Sequence, residues 1–219
     1  MPTAYIFCPS QILNKNKINI NYKSCNGDIY IAADSGIETA LKFDINPDIL
    51  IGDFDSIKTD KYNKYKTENI KIIKYPAIKD DTDSMLAVKH ALELNYKNIV
   101  IIGGIDGRID HTLANLSLLK YINNRGAFGS ITNGYNKISY LANSSFKIYK
   151  NYKYVSIMPV SSEINGLTLE GFKYNLNNAK VMFEEPYTVC NEIADDLSYG
   201  EIFISDGEIL ICECDDIYE

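Results

Sequence analysis

Four short apolar runs in the first half of the chain end in carboxylates. Ile31-Ala32-Ala33 leads into Asp34-Ser35-Gly36, and Ile49-Leu50-Ile51 leads into Gly52-Asp53-Phe54-Asp55-Ser56. Ile70–Lys74 is followed by Lys79-Asp80-Asp81-Thr82-Asp83, and Ile99–Ile102 by Gly103-Gly104-Ile105-Asp106-Gly107-Arg108-Ile109-Asp110-His111. Carboxylates gathered this densely repel one another unless cations join them. Their hard oxygens suit Mg²⁺, which takes one or two carboxylates together with substrate phosphates and water. The glycines let backbone N–H groups approach phosphate oxygens, and helix N-termini behind them favour anions. Arg108 can fork two hydrogen bonds onto a phosphate. Metal, cationic clamp and positioning elements are the parts that phosphoryl-type transfer from ATP requires.

Each motif also has a plainer use. Asp34 before Gly36 and Asp80 before Thr82 read equally well as helix caps. His111 reads as a helix-start residue and His90 as a surface residue within a helix. What favours chemistry is the recurrence of acids at successive strand ends, the edge at which open α/β sheets bind ligands.

Those strand ends need a sheet behind them. Tyr5–Cys8, Ile29–Ala33, Ile49–Ile51, Ile70–Lys74 and Ile99–Ile102 are continuous apolar runs, the pattern of parallel strands covered on both faces. Helical patterns fall between them at Gly36–Phe43, Thr59–Thr67, Thr82–Leu94 and His111–Asn123. The third is expected to bury Met85, Val88 and Leu92. The fourth is expected to bury Leu113, Leu116 and Leu119, with Ala114 and Leu118 beside them. After about Gly129 the pattern changes to short β-rich runs at Ser130–Thr132, Lys137–Leu141, Phe146–Tyr149, Tyr154–Met158, Gly166–Glu170, Thr188–Cys190, Glu201–Ile204 and Ile209–Cys212. Asn-Gly, Glu-Gly and Asp-Gly pairs punctuate them, as in an antiparallel sandwich. The expected fold is therefore α/β: a mostly parallel α/β sheet domain, residues 1–143, followed by a small antiparallel β-sandwich, residues 145–219.

Composition narrows the partners. The net charge of -7 leaves only two short basic patches, Asn14–Lys17 and Tyr62–Lys66, which argues against nucleic acid. Five cysteines without a CxxC pair point to reduced thiols in a cytosol. Cys212 and Cys214 alternate on one side of a strand, but the partner ligands of a metal site are missing. No secretory leader is evident, and no run approaches the ~20 apolar residues of a membrane span, so a cytoplasmic protein without a membrane partner is expected.

The ordered set Ala33-Asp34-Ser35-Gly36, Pro47-Asp48, Gly52-Asp53-Phe54-Asp55-Ser56-Ile57, Lys79-Asp80-x-Thr82-Asp83 and Gly103-Gly104-x-Asp106-Gly107-Arg108-x-Asp110-His111-x-x-x-Asn115 resembles the thiamine pyrophosphokinase family. Leu169-Glu170-Gly171-Phe172-Lys173-Tyr174-x-Leu176 and Cys190-Asn191-Glu192 resemble that family's thiamine-side motifs. The resemblance covers nearly the whole chain in order. It implies transfer of a pyrophosphoryl group from Mg²⁺·ATP to thiamine, giving thiamine pyrophosphate and AMP, by a homodimer that binds thiamine where two subunits meet. It assigns Asp53, Asp55 and Asp83 to magnesium and catalysis. Asp34, Ser35, Gly36, Lys79, Asp80, Gly103, Gly104, Arg108, Asp110 and His111 would line ATP and its phosphates. Tyr174, Thr188, Cys190 and Asn191 would face thiamine. Many relatives carry Ser-Asn where this chain has Cys190-Asn191, and eukaryotic members often carry Trp at the place of Tyr174. Tyr174 can still stack on a cationic thiazolium ring, more weakly than Trp.

Two other readings compete. Gly52-Asp53-Phe54-Asp55 also resembles the nucleophile motif of haloacid-dehalogenase phosphohydrolases, but that motif follows the first strand and here it follows the third. A thiamine- or nucleotide-binding sensor is the non-enzymatic alternative; binding alone has little need of so many like charges.

Overall fold

The computed structural model describes residues 1–11, 13–18, 20, 27–54, 70–76, 78, 80–185 and 187–217. The helix expected at 59–67 lies outside them. Two compact units divide the chain, Met1–Gly134 and Tyr135–Glu219.

The first unit is built on six strands: β1 (Thr3–Phe7), β2 (Ile29–Ala33), β3 (Ile49–Gly52), β4 (Lys71–Lys74), β5 (Asn98–Ile102) and β6 (Phe128–Thr132). They lie in the order β4-β3-β2-β1-β5-β6, and every pairing is parallel. β1, β2, β3 and β5 are almost wholly buried, which explains their largely apolar composition. β4 is the edge strand, and its terminal lysines are exposed, a charge placement that discourages further pairing. The chain starts mid-sheet at β1, runs outward to β4, then returns to β5 on the other side of β1. That reversal opens a crevice between the C-terminal ends of β1 and β5.

The described helices are α1 (Ile37–Leu41), α2 (Asp83–Glu93) and α3 (Ile109–Asn123), with a 3₁₀ turn over Asp34–Gly36 before α1. Thr82 is the N-cap of α2, its hydroxyl accepting from the Met85 N–H at 3.2 Å, so the cap sits there and not at Asp80. Asp34 likewise caps no helix: the N-cap of its turn is Ala33, with no side-chain bond. α2 buries Leu86, Ala87, Val88 and Ala91, so the expected face is turned, with Val88 alone retained from it. α3 buries Asn115, Leu118, Leu119 and Ile122, while Leu113 is exposed. The helix begins at Ile109, before the expected start, and the Leu118-Leu119-Ile122 stripe faces the sheet.

β6 corrects the expectation that the antiparallel part begins near Gly129, because it pairs parallel with β5 as the sixth strand of the first unit. The second unit contains β7 (Asn136–Ala142), β8 (Ser145–Tyr149), β9 (Tyr154–Pro159), β10 (Glu163–Glu170), β11 (Leu176–Met182), β12 (Tyr199–Phe203) and β13 (Glu208–Cys214). β13 pairs antiparallel with β7 and β9, and a separate antiparallel sheet runs β11-β10-β12-β8. Ile157, Ile209 and Ile211 from the first set pack on Ile148, Leu167, Val181 and Ile202 from the second. Each fully buried side chain of this size contributes roughly 1.5–3 kcal/mol. The unit division precedes β7, whereas the sequence reading places the domain boundary after it; β7 belongs with its partner β13. The run Thr188–Cys190 forms no strand, although Asn191 makes an isolated antiparallel bridge to Val155.

Candidate functional site

The crevice beside β1 is a cleft of about 280 Å³ lined by Cys8, Pro9, Ala33, Asp34, Thr82, Asp83, Ser84, Gly104, His111 and Asn115. Three walls deliver these residues: the ends of β1 and β2, the first turn of α2, and the Gly103–Arg108 loop with the start of α3. Asp34 and Asp53 sit on adjoining strand ends, since Ala33 is in register with Ile51. A Cβ on Gly52 would stand 3.2 Å from Asp34 Cα. Asp34 has φ 48°, a left-handed conformation uncommon for an L-residue, in a segment where strain is tolerated for function.

Gly36 has an ordinary backbone conformation but no room for a side chain. A Cβ there would lie 2.0 Å from the Phe7 carbonyl oxygen, so glycine lets α1 start hard against β1. Gly104 meets both constraints, with φ 73° and a Cβ position 2.7 Å from Asn115 Nδ2. The loop that carries it is tied to the end of β1. Gly104 N–H donates to Pro9 O at 3.1 Å, and Asp106 accepts from Ser10 Oγ at 2.8 Å and the Gln11 N–H at 2.6 Å.

The cleft's donors are hard. Burial, and next the charge of Asp83, push the Cys8 thiol up to about 12, so it offers no thiolate to a metal. Apart from the His111 imidazole, the accessible donors are carboxylate, hydroxyl and carbonyl oxygens, the set that suits Mg²⁺ shared with phosphates. Among the described residues, no three His, Cys, Asp or Glu side chains are grouped to hold a metal alone. Asp55 lies outside the described residues, as does Lys79.

Arg108 and Asp110 form an exposed fork-to-fork pair at the mouth of α3, with Nε to Oδ1 at 3.1 Å and Nη2 to Oδ2 at 2.5 Å. The guanidinium beside it, together with the His111 N–H, holds the Asp110 carboxyl down at about 2, and Asp110 raises Arg108 in turn. Asp34, Asp83, Gly104 and His111 therefore converge on the cleft. Ser35, Gly36 and Gly103 lie in its supporting turns, and Asp80 is exposed without lining it.

A second cavity, about 210 Å³, lies in the second unit and is lined by Leu169, Tyr174, Leu176, Tyr187, Thr188, Val189 and Asn191. Tyr174 is 72% exposed and Tyr187 57%, two large aromatic faces that a small flat ligand could cover. The polar groups here are committed to the backbone. Asn191 accepts at Oδ1 from the Tyr174 and Glu192 N–H groups, at 3.1 and 2.9 Å, and donates from Nδ2 to Tyr174 O at 2.8 Å. Thr188 Oγ1 donates to Ile157 O at 2.5 Å. Cys190 is exposed, has φ 56°, and donates its N–H to Ser156 Oγ at 3.0 Å without lining the cavity. The sequence reading gave no role to Asn115, Asp106 or Tyr187. The motif containing Asn115 and Asp106 was the available signal for the first two.

Fold and site together define a class: an α/β protein with a carboxylate-bearing cleft at the switch point of a parallel sheet, carrying a β-sandwich unit with its own largely apolar cavity. Residues 23–127 match the family model for the thiamin pyrophosphokinase catalytic domain, and residues 144–205 match that for the thiamin pyrophosphokinase vitamin B1 binding domain. The thiamine pyrophosphokinase of Bacillus subtilis (strain 168) is 34% identical over 167 residues, spanning 75% of this chain and 78% of that one. A crystal structure of thiamine pyrophosphokinase from Bacillus subtilis superposes with a TM-score of 0.86 at 31% identity, covering 98% of this chain and 99% of that one. A family member from Enterococcus faecalis gives 0.82 at 27% identity, covering 99% and 100%. The chain belongs to the thiamin pyrophosphokinase family. It is an enzyme that transfers a pyrophosphoryl group from ATP to thiamine, giving thiamine pyrophosphate and AMP.

Proposed function

We propose that the cleft beside β1 is where this transfer takes place, with Asp53, Asp55 and Asp83 holding Mg²⁺. The convergence of Asp34, Asp83, Gly104 and His111 on one cleft at the switch point is the observation that carries the reading. The thiamine hydroxyl oxygen attacks the β-phosphorus of ATP and loses its proton. The bond from that phosphorus to the α,β-bridging oxygen breaks, and AMP leaves with the oxygen. Mg²⁺, when bound, neutralises the negative charge that develops on the phosphate oxygens.

The chain's own groups do the positioning. Asp34, Ser35 and Gly36 shape one wall, Lys79 and Asp80 serve ATP and its phosphates, and Gly103 and Gly104 bring backbone close to the phosphates. Arg108 and His111 supply donors at the mouth, and Asp110 keeps the Arg108 fork oriented until a phosphate competes for it. Tyr174, Thr188, Cys190 and Asn191 form the thiamine side, Tyr174 as the aromatic face for the cationic ring.

The nucleotide- and magnesium-binding part then lies within residues 1–143 and the thiamine-binding part within residues 145–219. The enzyme works as a cytoplasmic homodimer with thiamine at the subunit interface, without nucleic-acid or membrane partners. No helix among the described residues is long and apolar enough to cross a membrane. Incubation with Mg²⁺, ATP and thiamine, followed by ³¹P NMR, tests the reaction. AMP and thiamine pyrophosphate should rise in equal amounts; steady formation of ADP and thiamine monophosphate would overturn it.

A further inference from the structure

Asn115, in the second turn of α3, is buried at the floor of the cleft. Its Nδ2 donates to Gly104 O at 2.8 Å, and its Oδ1 accepts from Ser84 Oγ at 2.7 Å. Ser84 Oγ lies 3.1 Å from Thr82 Oγ1, which caps α2 by accepting from the Met85 N–H. Donor and acceptor counting fixes the directions. A carbonyl only accepts, so the amide NH₂ must face Gly104. Oδ1 then faces Ser84 and takes its single hydroxyl hydrogen, leaving Ser84 Oγ to accept from Thr82. One polarised chain therefore runs from the first turn of α2, through Asn115, to the Gly104 carbonyl.

A hydrogen bond of this kind contributes only about 0.5–1.5 kcal/mol net to stability. What it adds is direction and spacing. α3 already packs on the sheet through Leu118, Leu119 and Ile122, so Asn115 is not needed to hold the helix down. The contact is also tight, because Gly104 has no space for a Cβ beneath the amide.

We propose that Asn115 is a positioning residue that fixes the spacing between Asp83, adjacent to Ser84, and the Gly103-Gly104 loop. The carboxylate and the phosphate-facing backbone are thereby held in one register across the cleft. The proposal rests on the reading of Asp83 given above. The role proposed is exerted through the bonds from Asn115 to Gly104 and Ser84.

The test compares Asn115→Leu, Ser84→Ala and the double variant. Asn115→Leu should lower kcat on the order of 10²-fold, the cost of misplacement by about 1 Å. It should also raise the Mg²⁺ concentration for half-maximal rate, and the melting temperature should fall because the Gly104 carbonyl and the Ser84 hydroxyl lose their partner. Ser84→Ala should show a smaller loss of the same kind. The double variant should be no worse than Asn115→Leu, because both changes remove one connection. In the unliganded protein, hydrogen exchange at the Gly104 and Ile105 amides should quicken in each variant. Wild-type kcat and Mg²⁺ dependence in Asn115→Leu, or losses that add in the double variant, would overturn the proposal. Should Asn115→Leu fail to fold, Ser84→Ala decides: unchanged exchange and unchanged Mg²⁺ dependence sink it. If Asp83→Asn turns over at the wild-type rate, the reading of Asp83 is wrong. If Asp83→Asn is inert while the Asn115 and Ser84 variants behave as wild type, the positioning role alone is wrong.

Discussion

The two units build their cavities in different ways. In the first, side chains from separate strand ends and helix starts converge, and the backbone is pressed close by glycines that admit no Cβ. In the second, aromatic surface makes the walls, and the polar side chains hold loops instead of facing outward. Asn191 has its amide wholly engaged by Tyr174 and Glu192 backbone groups. Asp34 and Asp83 instead put carboxylates on the lining of their cleft. A lesion in the first unit should therefore act on rate, and a lesion in the second on ligand affinity.

The largest effect is expected from the acids. Asp83→Asn and Asp53→Asn should each lower kcat by about 10²-fold or more, as for loss of one electrostatic stabiliser. Folding should be kept or improved as like-charge repulsion is relieved. Steady-state rates near wild type in both would show that the cleft is not where the chemistry occurs.

Asn191→Ala comes next. It removes three hydrogen bonds, each worth about 1 kcal/mol net, and frees the Tyr174 loop. The KM for thiamine should rise about tenfold or more with kcat little changed by comparison. A fall in kcat at constant KM would place Asn191 with the chemistry and erase the contrast between the units.

Tyr174→Ala sharpens the same point at smaller amplitude. Its ring is 72% exposed, so melting should be unaffected. Losing a cation–π face of about 0.5–2 kcal/mol should raise the KM for thiamine a few-fold to about thirtyfold. Unchanged KM would assign the aromatic role elsewhere, with Tyr187 the neighbouring candidate.

Much of this was legible in the sequence, for a physical reason. Parallel strands buried on both faces must be continuous apolar runs, so β1, β2, β3 and β5 stood out. Acids at their ends needed only the rule about sheet edges. β11 was missed because Leu176-Asn177-Asn178-Ala179-Lys180 is a half-exposed strand whose Asn pair reads as a turn. β6 was read with the antiparallel runs because a Gly-Ser-containing run carries no mark of its partner's direction. The helix faces were misjudged since several leucines fit more than one stripe, and only the sheet decides which is buried. Asn115 and Asn191 could be seen as motif letters, but their hydrogen bonds reach residues 31 and 17 positions away, which no local pattern shows.

The smallest effect concerns thiols. Burial pushes Cys8 and Cys212 up to about 12 and Cys214 up to about 11, whereas Cys190 is exposed. At pH 8, alkylation followed by mass spectrometry should label Cys190 first among these four, the others lagging on the order of 10²-fold. For Cys8 and Cys212 the folded value lies above the ordinary 9.0, so the protonated thiol favours the fold below pH 9. That contribution is lost as pH rises from 9.0 towards about 12, and melting temperature should fall across this window.

The division of labour is tested most directly by titrating thiamine into Asp83→Asn and Tyr174→Ala by calorimetry. Asp83→Asn should bind thiamine with the wild-type Kd while forming no thiamine pyrophosphate, and Tyr174→Ala should bind it more weakly. Loss of thiamine binding in Asp83→Asn, with wild-type affinity in Tyr174→Ala, would contradict the account.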